Sequence, residues 1–178
     1  DLIRCKSVTP ADAGAQGVLK KFLTQHGFTC HDVPFGDANS TEMATMRIEN
    51  LFAVIGQAST GPGSNDIKHF CYGGHTDVVP ANSAGWTADP FTLRKQNGRL
   101  YGRGAVDMKG FLAIALALAP LFKQAEGEMR LPLHYAFTFD EEVGSFGAAQ
   151  MPAFLQKHQI KPAIAIIGEP TGMRPFIG

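Results

Sequence analysis

Cysteine is scarce in this chain. Three of its 178 residues are cysteine, at positions 5, 30 and 71, and no two of them form a CxxC or CxxH pair. That excludes a zinc site built on thiolates and a disulfide framework, and leaves buried free thiols in a reducing compartment as the expectation. An excess charge of one sign is also missing: 16 basic residues balance 16 acidic ones. A neutral chain has no field to draw nucleic acid or an anionic membrane, so neither is expected as a partner. No long hydrophobic run occurs. The longest, Phe111 to Phe122, falls short of the roughly 20 residues that a bilayer span requires. No signal-peptide pattern opens the chain at Asp1, and a cytoplasmic location is the expectation.

What is present is the composition of a globular domain, with 44% hydrophobic residues and enough length for one sizeable core. A helix is predicted from Pro10, with Thr9 as its N-cap, Pro10 in its first turn and Gly27 as its stop. Strands are predicted over 28–33 and 50–55, with a polar loop at 36–45 and a Gly-, Ser- and Pro-rich turn at 58–66. A short apolar strand, 68–72, runs into Gly73-Gly74-His75. After a loop at 79–90, Asn97-Gly98 marks a hairpin joining 91–93 to 99–101. A long apolar helix is predicted over 108–123, and its lack of a polar face predicts burial. A strand over 131–139 ends at Asp140-Glu141-Glu142, and a helix follows over 145–158. The run 162–167 is apolar almost throughout, as in a strand covered on both faces, and ends at Gly168-Glu169. Strands and helices alternate, which predicts an α/β fold: a mixed, mostly parallel sheet flanked by helices.

Three predicted strands end in residues able to bind metal: His75, Glu141 with Glu142, and Glu169. Asp107 precedes a helix. Ligands of open α/β sheets gather at the carboxyl ends of strands, so this recurrence locates a candidate site. A histidine at a strand end can offer one ring nitrogen to a metal while Asp77, two residues on, takes the other ring N–H and fixes the tautomer. A carboxylate such as Asp107 can bridge two ions about 3.5–4 Å apart; it could equally cap the helix that follows. Asp140-Glu141-Glu142 is either a solvated acidic turn or a set of like charges that a cation relieves, with one glutamate binding metal and its neighbour moving a proton. Glu169 alone is ligand or strand exit. Imidazole with carboxylates and no thiolate suits a catalytic zinc site with open positions, and manganese or cobalt would also fit. Arg103 and Lys109, flanking Asp107, read as members of local ion pairs, with a substrate carboxylate as the alternative. Trp86 is either a loop anchor or a pocket wall.

The strings GHTDVVP (74–80), GRGAVDMKG (102–110), DEEVGS (140–145) and GEPT (168–171) together resemble, in order, the zinc-dependent family of aminoacylases, deacetylases and carboxypeptidases with co-catalytic metals. The resemblance covers essentially the whole chain. It implies a zinc-peptidase-like catalytic domain with two zinc ions. His75 and Glu169 would hold one ion and Glu142 the other, with Asp107 bridging. Asp77 would be the partner of His75, and Glu141 the general base. Within the family, Ser7-Val8-Thr9-Pro10-Ala11-Asp12-Ala13-Gly14 with GHTDVVP resembles the branch that removes succinyl groups from a diamino acid of lysine and cell-wall synthesis. The region 89–93 through DMKGFLA, with FDEEVGSFGA, resembles more the branch that removes acetyl groups in arginine synthesis. Dipeptidases of the family and a non-catalytic metal-binding module are further alternatives. The implied substrate is a small N-acyl amino acid. Full-length members carry a lid and dimerisation domain and a final zinc-binding histidine, and form homodimers. Residues 1–178 are therefore expected to be a single catalytic domain without lid or C-terminal completion. His26, His31, His69, His134 and His158 match no family motif, and His134 reads as a core or surface histidine.

Overall fold

A computed structural model describes residues 1–42, 45–56, 67–82 and 84–177. Five strands form one sheet: β1 (Thr29–Phe35), β2 (Ile48–Ile55), β3 (Ile67–His75), β6 (Leu133–Thr138) and β7 (Ile160–Ile167). Their order is β1-β2-β6-β3-β7. β2 runs antiparallel to both its neighbours, and β6, β3 and β7 run parallel. The sheet is thus mixed and mostly parallel, as the alternating pattern predicts. The carboxyl ends of β3, β6 and β7 consequently emerge on one edge, where His75 ends β3 and Asp140 and Glu169 follow β6 and β7.

Helix α1 (Ala15–Gln25) and α2 (Lys109–Ala117) bury Leu19, Leu23, Leu112 and Leu116 against Leu51, Leu133, Tyr135 and Phe137 of the sheet. The Tyr135 hydroxyl, driven inside with its ring, donates to the Ala115 carbonyl at 2.7 Å, as a buried hydroxyl must. Helix α4 (Gln150–Lys157) covers part of the other face, with Met151 on Phe52, Cys71 and Ala136. The cysteines are free, and Cys5 and Cys71 are buried. Strands β4 (Arg94–Gln96) and β5 (Arg99–Tyr101) form the hairpin around Asn97-Gly98, both at positive φ. Its first strand lies at 94–96 rather than 91–93.

Several expectations need correction. Helix α1 starts at Ala15, after Gly14 at the N-cap, and Thr9 caps nothing. Asp12 accepts the Gln16 N–H instead, at 3.1 Å. The long helix over 108–123 is two, α2 and α3 (Ala119–Gln124), because Pro120 has no N–H to donate and its ring crowds the preceding turn. It is also only half buried, with Ile114 68% and Leu121 57% exposed. The helix predicted from 145 begins at Gln150. β7 is an edge strand exposed on its faces, with Ile164 55% and Ile167 62% accessible; apolar sequence alone does not report whether a layer covers it. The turn predicted at 58–66 lies outside the described residues, as do positions 43 and 44 of the 36–45 loop and 83 of the 79–90 loop.

Candidate active site

His75 ends β3 and is 1% exposed. Gly74, just before it, lets α2 lie close: a Cβ there would meet Met108 Cε at 2.6 Å and Leu112 Cδ2 at 2.8 Å, and those side-chain ends would have to move. The His75 N–H points at Met108 Sδ, 3.2 Å away. Nδ1 lies 3.2 Å from Asp77 Oδ1 and 3.1 Å from the Asp77 carbonyl. Nε2 therefore faces outward, 3.1 Å from Asp107 Oδ1, 3.7 Å from Glu169 Oε1 and 3.9 Å from Glu141 Oε2. The three carboxylates are partly accessible, with side chains 48%, 41% and 48% exposed.

Asp77 is fully buried. Burial alone would raise its carboxyl, but the hydrogen bond and charge of His75 and the backbone N–H groups of Glu142 and Glu141 outweigh that and hold it below its ordinary value. Those N–H groups reach Oδ2 and Oδ1 at 3.1 Å each. Asp77 thus ties the loop after β3 to the 3-10 turn Glu141–Val143 after β6. Burial pulls the His75 imidazole down, yet the bond and charge of Asp77 and the charges of Glu169 and Glu141 prevail and push it up to about 9. Glu142 and Glu169 are both raised, first by burial and then by like charge. Asp107 is the foremost like charge for both.

The ligand atoms of His75, Asp107 and Glu169 lie within 4.8 Å of one another. Glu141 borders that trio and Asp77 stands behind it. Glu142 stays outside the trio: its backbone N–H, not its carboxylate, meets Asp77. Asp140, the first of the three adjacent acids, has a different task. It is buried at φ +83°, and its carboxylate accepts the N–H groups of Gly147 at 2.7 Å and Ala148 at 3.3 Å. Asn50 on β2 completes this clamp, donating to the Gly147 carbonyl and accepting the Phe139 N–H. Asn50 carried no sequence signal beyond being polar within an apolar strand.

Neither residue flanking Asp107 forms the expected ion pair among the described residues. The Lys109 ammonium is buried and donates to the carbonyls of Leu2 at 3.1 Å and Cys5 at 2.7 Å. The Arg103 guanidinium lies over the Trp86 ring, 5.6 Å from its centroid. Trp86 is thereby a loop anchor.

Residues 71–177 match the sequence model of Peptidase family M20/M25/M40. The chain belongs to that family. Among curated proteins it is similar to the succinyl-diaminopimelate desuccinylase of Rhodospirillum centenum, 42% identical over 98% of this chain and 42% of that protein. The enzyme of the same name from Gluconacetobacter diazotrophicus is 40% identical over 96% of this chain and 41% of its own length. The chain thus spans about 42% of the length of such relatives. Solved structures share the fold: human carnosine dipeptidase 1, at TM-score 0.74 and 21% identity, covers 93% of this chain, which spans 36% of it. The M20 family metallo-carboxypeptidase Sso-CP2 from Sulfolobus solfataricus gives TM-score 0.66 and 19% identity over 94% of this chain and 35% of its own. No helix among the described residues is long and apolar enough to cross a membrane.

Proposed function

We propose that this chain is the metal-binding part of a hydrolase that removes an N-acyl group from a small amino acid, with N-succinyl-diaminopimelate as substrate and two zinc ions as cofactor. The observation that carries the reading is the aim of His75: with Nδ1 engaged by Asp77, Nε2 is left facing the oxygens of Asp107 and Glu169. Carboxylates crowded around one imidazole, with Glu142 and Glu169 raised by burial and by the like charges of Asp107, Asp77 and Glu141, fit a divalent cation that would relieve the repulsion. An imidazole and carboxylates without thiolate suit zinc. The full-length desuccinylase relatives supply the acyl group and the amino acid.

His75 and Glu169 would hold one ion, Glu142 the second, and Asp107 would be shared. Bound metal supplies Lewis acidity, polarising an amide carbonyl and making water more acidic. Asp77 keeps the proton of His75 on Nδ1 and so keeps Nε2 as the donor atom. Glu141 acts as general base: its carboxylate takes a proton from the water that attacks the amide carbon. When the C–N bond breaks, Glu141 returns that proton to the amine nitrogen, and the acyl group departs as its carboxylic acid, which then loses its remaining proton to water.

The test is made on the full-length protein. Bound metal is measured per chain, and hydrolysis of N-succinyl-diaminopimelate and N-acetylornithine is followed with and without zinc. The expected result is retained zinc, turnover of the succinyl substrate, and a loss of about 10²–10⁴-fold in kcat for Glu141→Gln with metal content unchanged. A protein that holds no metal after loading, or a Glu141→Gln variant of normal rate, overturns the reading. Preference for N-acetylornithine moves the substrate to the acetyl branch.

A further inference from the structure

The string Ser7-Val8-Thr9-Pro10 takes no part in the chemistry above, yet it packs directly behind the site. Ser7 is buried, and its hydroxyl donates to the Thr76 carbonyl at 2.7 Å while its own carbonyl accepts the Val78 N–H at 3.0 Å. Gln16 donates to the Thr76 hydroxyl at 3.2 Å. Thr9 reaches one residue further: its hydroxyl donates to Asp77 Oδ2 at 3.2 Å.

That bond completes a symmetrical set of donors. Oδ1 of Asp77 takes His75 Nδ1 and the Glu141 N–H; Oδ2 takes the Glu142 N–H and the Thr9 hydroxyl. A carboxylate turns easily about its Cβ–Cγ bond, because that torsion is broad rather than staggered. The direction in which Oδ1 meets the imidazole is therefore set by what grips Oδ2. Of the four donors, only Thr9 comes from a segment that bears none of the site's imidazole or carboxylate groups. The segment itself is already tied down by Ser7 through its two bonds to the loop, so the Thr9 hydroxyl is not needed to attach it. Nor does Thr9 serve α1, whose N-cap is Gly14.

We propose that Thr9 is a positioning residue for the metal site: by holding the plane of the Asp77 carboxylate it keeps the His75 ring turned so that Nε2 faces Asp107 and Glu169. This rests on the metal-site reading above. In the full-length protein, Thr9→Val removes the hydroxyl at nearly constant shape, and Thr9→Ser keeps it. Metal affinity is read by chelator competition, site geometry by the visible absorption of the Co²⁺-loaded protein, and folding by the melting temperature of the metal-free protein. Loss of a group that orients a metal-bound histidine costs about 10–100-fold in affinity. One bond further out, Thr9→Val is expected to weaken binding roughly three- to tenfold and to shift the Co²⁺ spectrum. The metal-free melting temperature stays within ~2 °C, and Thr9→Ser restores both affinity and spectrum. Where Thr9→Val folds poorly, Thr9→Ala takes its place. Wild-type affinity and spectrum in Thr9→Val, a Thr9→Ser as weak as Thr9→Val, or unfolding of both Thr9→Val and Thr9→Ala each overturns the assignment. A wild-type protein that binds no metal overturns the metal reading itself, whereas a metal-binding wild type matched by Thr9→Val overturns only the role of Thr9.

Discussion

Gly168 lies flat against the ring of Phe111, with no room between them for a Cβ. The contact joins the residue before Glu169 to the first turn of α2, four residues after Asp107. Gly168→Ala is therefore expected to push β7 away from α2, costing about 1–3 kcal/mol as overpacking does, and to weaken metal binding by parting Glu169 from Asp107. Phe111→Leu in the same chain should recover part of both losses. Thermal unfolding and metal titration of the four proteins in a double-mutant cycle measure the coupling. Strictly additive effects would mean that the two residues do not act through this contact.

Asp77→Asn tests the node behind His75. Each carboxylate oxygen accepts two donors. An amide presents an NH₂ in place of one oxygen, so one pair of donors faces another donor whichever way it turns. Leaving buried groups unpaired costs about 1–3 kcal/mol, and metal affinity is expected to fall roughly 10–100-fold. Calorimetric titration with zinc checks this; an affinity equal to wild type would show that Asp77 does not orient His75.

The parts of the site legible in sequence are those where chemistry and chain position coincide. His75, Asp107 and Glu169 each follow an apolar strand or precede an apolar helix, so a charged side chain there draws notice, and the structure brings their ligand atoms together. Asp140 was hidden among its neighbours. Three adjacent acids look alike in sequence, and only the backbone at φ +83° turns the first inward to clamp Gly147. Thr9 reads as a helix cap because capping is local, whereas its partner Asp77 lies 68 residues away. The break between α2 and α3 has a sequence signal in Pro120, but the apolar residues on both sides of it give one continuous helical pattern. The exposure of β7 was not legible, since an apolar run reports what a strand can bury and not what lies over it.

That exposure has a consequence in solution. β7 pairs with β3 on one side, and Ile164, Ile166 and Ile167 are 55%, 42% and 62% accessible. The apolar residues 163–167 of this edge strand offer an adhesive surface to any similar edge. The 178-residue chain on its own is expected to self-associate with rising concentration, and Ile166→Lys to suppress this while leaving the far-ultraviolet circular dichroism unchanged. Sedimentation velocity over a hundredfold concentration range decides it; a monomer throughout would remove the edge as a site of association.

His134 adds a pH dependence to stability. It is fully buried on β6 beside His69 and Phe52, with ring centroids 5.1 Å from each, and neither of its ring nitrogens has a hydrogen-bond partner among the described residues. Burial, reinforced by the charge of His69, pushes its imidazole down to about 3, against about 6.5 in the unfolded chain. Between those values the unfolded state binds a proton that the folded state does not, so stability falls as pH drops from about 6.5 towards about 3. At pH 4.5 the loss from this residue is on the order of 2–3 kcal/mol. His134→Leu removes the titration and the two unpaired nitrogens together. The variant should be as stable as wild type or more so at pH 7, and its advantage should widen on acidification. Urea unfolding of both proteins at pH 7 and 4.5 measures the difference, in which the acid sensitivity of the carboxylates cancels. Equal losses in the two proteins would show that His134 is protonated at little cost and that its burial is relieved before the chain unfolds.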